Sequence, residues 1–245
     1  DAARTYSGDR AEFIGRNGTL AHPAAMTRTQ LSNKAGAALD PCAAIQVAFE
    51  LADGEERQVN FRLGVAGRRG ADEASKLVRR FRGSTAARNG LEAVREYWRH
   101  TLGAVQVETP DQSLNLLANG WLVYQTLACR LWGRSGYYQS GGAFGFRDQL
   151  QDVMALVHAE PALAREHLLR CAAHQFGEGD VQHWWHATSG RGVRTHCSDD
   201  YLWLALATCR YVATTGDAAV LDEPLPFLVG RAVNPEEDSY YDLPG

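Results

Sequence analysis

Arg147, Asp148 and Asp152 are the residues of this chain best equipped for chemistry. They close a glycine-rich run, YQSGGAFGFRDQLQD (Tyr138–Asp152), whose last part takes on helical apolar spacing. Asp148 and Asp152 stand four residues apart, so on a helix both carboxylates leave the same face, near the end entered from the loop. Carboxylates that accept two hydroxyls, a guanidinium that donates to others, and aromatic faces that cover C–H surfaces are what a sugar ring requires. Gln139, earlier in the loop, adds an amide that both donates and accepts. A second reading stays open at this level: Asp148 as a first-turn acid serving the helix dipole, with Arg147 its surface partner.

A second rich segment, GDVQHWWHATSGRGVRTHCSDDYLW (Gly179–Trp203), echoes the first. Trp184 and Trp185 suit stacking on a sugar ring or packing of the loop onto its scaffold, and Arg194 and Asp199 suit hydroxyl recognition. His183 and His186, with His196 and Cys197 beyond, supply metal-donor types. No HExxH or paired-cysteine spacing accompanies them, so hydrogen-bonding roles are expected and no metal. The GGAFG stretch (Gly141–Gly145) lacks the preceding strand and following acid of a dinucleotide fingerprint, and no GxSxG elbow is present.

Composition narrows the field further. With 25 Lys and Arg against 29 Asp and Glu, the formal charge is −4, and nothing supplies the concentrated basic face that nucleic acid needs. The basic run Lys76–Arg82 reads as a solvated helix face. Five scattered cysteines, odd in number, point to reduced thiols and a cytoplasmic setting rather than a disulfide framework. No apolar run is long enough to span a bilayer, so no membrane contact is expected from this segment.

The scaffold changes character along the chain. Ile45, Val47, Phe49 and Leu51, then Val59, Phe61, Leu63 and Val65 after Asp53-Gly54, alternate as a β-hairpin with one apolar face. Phe13-Ile14 suggests a further short strand. From Ala71 the period becomes helical: helices are expected over about 71–81 and 86–102, then from a Thr109 cap with Pro110 in its first turn to about Trp132. Others are expected over about 147–159, from Glu160-Pro161 to Phe176, and from a Ser198 cap to Gly216. Short turns alternate with long loops, which puts both rich loops at one rim of a helical bundle or toroid.

The run from Tyr138 to Pro224 resembles the inverting phosphorylases of glycoside hydrolase family 94, above all the C-terminal phosphorylase region of cyclic β-1,2-glucan synthases. The earlier stretch Phe13–Phe61 is similar to the end of that family's β-sandwich domain. The resemblance implies an α+β multidomain fold: the C-terminal part of a β-sandwich over 1–66, a helical linker over 67–108, and the first part of an (α/α)6 barrel over 109–245. It implies phosphorolysis of a β-glucan oligosaccharide with inorganic phosphate as co-substrate and no cofactor. One carboxylic acid protonates the glycosidic oxygen while phosphate, already nucleophilic, attacks the opposite face without a catalytic base. The Asp of the FRD run, here Asp148, then binds the non-reducing-end glucose. Gly142 stands where cellobiose phosphorylases have an Arg, which suits the β-1,2-glucan branch. The family's general acid lies in a Trp-Asn-Asp stretch downstream of the SDDYLW helix, and none of the six Trp here precedes Asn-Asp. The catalytic acid is therefore expected beyond Gly245, in the remainder of a longer parent polypeptide.

Overall fold

The computed structural model describes residues 4–66, 70–133 and 142–245. The chain divides into two compact units, Asp1–Ser84 and Thr85–Gly245.

In the first unit, β1 (Arg4–Asp9) pairs antiparallel with β2 (Pro41–Val47), with a register shift between Ser7 and Asp9. Between them runs α1 (Arg10–Ile14), capped by the Asp9 carboxylate on the Ala11 amide, and a 3-10 turn at Ala24–Thr27. Glu12 ties the layer together by accepting from Ser7 and Ser32. A small core of Ala25, Leu31 and Ala44 sits beneath, flanked by Phe13 and Cys42.

Two expectations fail here. Phe13-Ile14 is helical, because Asp9 supplies an N-cap that outcompetes extension. The hairpin does not form: β2 stops at Val47, residues 48–66 carry no strand, and Leu63 is fully exposed. A turn does occur at the expected place, with Gly54 at φ 76° and the Glu55 amide on the Ala52 carbonyl. Alternation supplies an apolar face, but a strand also requires a neighbour for its backbone, and residues 48–66 form no ladder with any strand among the described residues. The unit ends with α2 (Gly70–Arg80).

The second unit opens with α3 (Ser84–Gly103). The helical run that follows is capped not by Thr109 but by Asp111, whose carboxylate accepts from the Ser113 and Leu114 amides; Thr109 instead bonds Asn115. Its pieces are α4 (Gln112–Leu116), a π segment (Leu117–Trp121), α5 (Leu122–Gln125) and a second π segment (Thr126–Trp132). The run packs on α3 through aromatic rings, Trp98 against Tyr124 and Trp132 at 5.1 and 5.6 Å between centroids.

β3 (Ala143–Gly145) leads directly into α6 (Phe146–Leu156), followed by α7 (Pro161–Ala172), which starts at Glu160-Pro161 as expected. Next come β4 (Gln182–His186), β5 (Gly192–Thr195), α8 (Asp200–Thr215), a 3-10 turn at Ala218–Asp222 and β6 (Ser239–Asp242). The strands form one antiparallel sheet in the order β3-β4-β5-β6. The second rich segment, expected as a loop, is thus largely a hairpin. The close approach of β4 and β5 needs Gly192, where an added Cβ would lie 2.1 Å from the Trp184 carbonyl oxygen. One core joins the sheet to α6, α7 and α8: Phe144, Phe146, Leu150, Val153, Leu168, Trp185 and Tyr211. α8 ends at Gly216, left-handed at φ 75°.

Candidate functional site

The loop-to-helix junction at Gly145-Phe146 sets the site. Phe146 and Leu150 are fully buried on the core side of α6, which turns Arg147, Asp148 and Asp152 away from it. Asp148 sits in the first turn, and its carboxylate crowds the cap residue: a Cβ on Gly145 would lie 2.9 Å from Asp148 Oδ2.

Charges of alternating sign then form a row. Arg130, from the end of the second π segment, bonds Asp152 through Nε at 2.8 Å and reaches Asp148 at 3.9 Å. Arg147 lies 3.7 Å from Asp148 and bonds Asp199, the cap residue of α8, at 2.8 Å. Asp199 also accepts from Cys197 Sγ at 3.1 Å and from Trp203 Nε1 at 3.2 Å. These bonds, Arg147's first, hold the Asp199 carboxyl well below the usual range. Burial pushes Asp152 upward against the opposing pull of Arg130. Asp148 keeps about a third of its side chain in solvent, 32%, between two guanidinium groups. This is a partly open carboxylate with fixed cationic neighbours, suited to accepting hydrogen bonds from paired hydroxyls. Asp148 and Asp152 do share a face, and Arg130, absent from the sequence reading, joins them.

Other expected site residues go elsewhere. Trp185 is buried, its ring stacked on His174 at 3.8 Å, so it is a core side chain and offers no open face. Arg194 is buried too and locked: Nε and Nη2 each donate to Asp180 at 2.6 Å, and Nη1 donates to the carbonyls of Gly230 and Arg231. Its guanidinium lies 3.8 Å from the centre of the Phe176 ring. Burial opposes its charge, yet Asp180 and its other partners raise its pKa beyond the ordinary value. With its donors consumed it braces β5 rather than facing a ligand. Trp184, half-buried, turns to His186 and Tyr241, the sheet face opposite Trp185. Gln139 lies outside the described residues.

Of the metal-donor types, His183, Cys197 and Asp200 place one ligand-type atom each within 4.8 Å of one another. Each already has a partner: His183 Nδ1 bonds Asp200 at 2.6 Å, and Cys197 bonds Asp199. The group reads as a hydrogen-bonded cluster continuous with the charge row. His186 is not part of it.

Comparison with known proteins accords with this architecture. Residues 97–236 match the glycosyl hydrolase 94 superfamily catalytic domain, and residues 1–84 match the glycosyl hydrolase 94 supersandwich domain. The chain belongs to the glycosyl hydrolase 94 family. It is 44% identical over 238 residues to the cyclic beta-(1,2)-glucan synthase NdvB of Rhizobium meliloti, covering 96% of this chain and 8% of that protein. It is 26% identical to the N,N'-diacetylchitobiose phosphorylase of Vibrio proteolyticus, covering 92% of this chain and 31% of that protein. With the solabiose phosphorylase of Paenibacillus borealis it shares 28% identity over 91% of this chain and 28% of the other. The chain therefore spans less than a third of the length of these relatives. No helix among the described residues is long and apolar enough to cross a membrane.

Proposed function

We propose that this chain supplies the non-reducing-end sugar subsite of an inverting glycoside phosphorylase that acts on β-1,2-linked glucan, in phosphorolysis or its reverse. The observation that carries the reading is the row Asp152–Arg130–Asp148–Arg147–Asp199, with Asp148 partly open at its centre, in a chain of this family. In this reading Asp148 accepts hydrogen bonds from two hydroxyls of the terminal glucose, and Arg147, fixed by Asp199, donates to a third. Arg130 and Asp152 hold the carboxylate in place. The helical elements form part of an (α/α)6 barrel whose remaining helices, phosphate ligands and general acid come from other parts of a longer polypeptide. Phosphate then attacks the anomeric carbon, and the proton supplied to the leaving oxygen balances the charge of the departing alkoxide. The β-1,2 linkage is favoured by the higher identity to NdvB than to the chitobiose and solabiose enzymes.

The test is phosphate-dependent release of glucose 1-phosphate by the full-length polypeptide, offered β-1,2-, β-1,3- and β-1,4-linked glucooligosaccharides. Phosphorolysis of the β-1,2 series first and fastest is expected. Preference for laminaribiose or cellobiose would move the linkage assignment. Saturable glucan binding with no phosphorolysis of any substrate would make the protein a glucan-holding module instead.

A further inference from the structure

His183 lies where the β4 ladder breaks. Gln182 pairs with Arg194 and Trp184 pairs with Val193, so His183 is the extra residue of a bulge. Bulges re-aim a side chain and recur beside functional sites. Here the imidazole leaves the sheet toward the first turn of α8, where Nδ1 meets Asp200 Oδ2 at 2.6 Å.

Asp200 is 3% exposed, and its other oxygen, Oδ1, has no hydrogen-bond partner among the described residues. A buried carboxylate is thus committed to one imidazole nitrogen, which fixes the ring's orientation and places the proton on Nδ1. Nε2 faces the other way. It makes no hydrogen bond among the described residues and is not sealed from solvent, on a side chain 30% exposed. The cluster is continuous with the charge row: the polar atoms of His183, Cys197 and Asp200 lie within 4.8 Å, Cys197 bonds Asp199, and Asp199 bonds Arg147. Arg147 and Asp148 both act electrostatically on the imidazole.

We propose that His183, oriented by Asp200, is a further sugar-binding residue of the Asp148 site, its Nε2 exchanging a hydrogen bond with a hydroxyl of the bound glucose. A hydroxyl both donates and accepts, so it suits the neutral and the protonated ring alike, whereas a phosphate oxygen requires the protonated one. The inference rests on the sugar-subsite reading above and adds two residues to it, a ligand-touching histidine and a positioning aspartate.

Two side chains separate the halves of the imidazole. In His183→Asn the amide can keep the bond to Asp200 but does not reach the ligand; in His183→Gln the amide reaches the Nε2 position and gives up Asp200. In the full-length polypeptide, the asparagine variant is expected to raise KM for glucan, and the calorimetric Kd for glucan without phosphate, by about tenfold, with a parental Tm. The glutamine variant, which reaches the ligand without Asp200 to orient it, is expected to recover part of that loss in both, with a lower Tm. A purely structural histidine gives the mirror image, parental affinity in Asn and loss in Gln, and either folded variant showing it overturns the proposal. A rise in KM for phosphate with unchanged glucan affinity would also overturn it. Wild-type and Asp148→Asn proteins run alongside keep the two readings apart: a wild type that neither binds nor cleaves glucan sinks the subsite itself, whereas a competent wild type with an unaffected asparagine variant sinks only the role of His183.

Discussion

At Asp148 the decisive neighbour is a residue without a side chain. Gly145 lies against the carboxylate so closely that a Cβ would meet Asp148 Oδ2 at 2.9 Å and Cγ at 3.3 Å. Gly145→Ala should therefore swing the carboxylate out of the row between Arg130 and Arg147. In the full-length polypeptide kcat/KM for glucan is expected to fall by about tenfold or more, since displacements of about 1 Å at a positioned group have effects of that order. Parental activity in the alanine variant would mean that the carboxylate tolerates the shift. His183 offers a pH test. Its hydrogen bond to Asp200, helped by that carboxylate's charge, raises its pKa, against burial and the nearby Arg147. A cation favoured by folding contributes stability that is fully present below the unfolded value of about 6.5 and is lost as pH rises through the higher folded value. The urea midpoint should therefore drop between about pH 6 and pH 8 more in the parent than in His183→Gln; equal slopes would contradict the coupling. The i, i+4 spacing made the shared face of Asp148 and Asp152 readable from sequence. Arg130 was not readable, because its partners lie on another element and no local period points to it. Arg194 was misplaced for a related reason: an arginine in a polar segment looks the same exposed or buried, and what buries it is Asp180 and two carbonyls at Gly230 and Arg231.

Among the elements, helices were far more legible than strands. Expected helix spans agree with α2, α3, α6, α7 and α8 to within a few residues at most ends, because a 3.6-residue apolar period and caps such as Glu160-Pro161 and Gly216 are local signals. The four-stranded sheet of the second unit escaped notice. Its strands are 3 to 5 residues long, too short for alternation to register, and β6 comes from far along the chain. What braces that sheet is the Arg194–Asp180 pair. Arg194→Met should leave Asp180 buried without its partner and cost about 3–5 kcal/mol in urea denaturation, much of it recovered by the double change Arg194→Met with Asp180→Leu. A cost below about 1 kcal/mol would make the pair incidental.

For the molecule as a whole, the apolar surface is unevenly covered. In the second unit Leu116, Trp121 and Leu122 on the run after α3, and Leu202 and Leu206 on α8, remain more than 45% exposed. Monomers rarely expose contiguous apolar patches larger than about a few hundred Å². The isolated 245-residue chain should accordingly self-associate with rising concentration in sedimentation velocity, and Leu202→Lys with Leu206→Lys should suppress this; a monomer at all concentrations would contradict it. The assignment of a sugar subsite, however, turns on one carboxylate. A first-turn acid serving only the helix dipole contributes about 0.3–1 kcal/mol and is replaceable by Asn with little effect on function. A carboxylate accepting hydroxyl hydrogen bonds loses charge-assisted interactions worth about 1.5–3 kcal/mol each. In the full-length polypeptide, Asp148→Asn should lower kcat/KM for β-1,2-glucan phosphorolysis by more than about tenfold while Tm stays nearly unchanged; a clear loss of thermal stability with normal phosphorolysis would contradict the account and return Asp148 to the helix dipole.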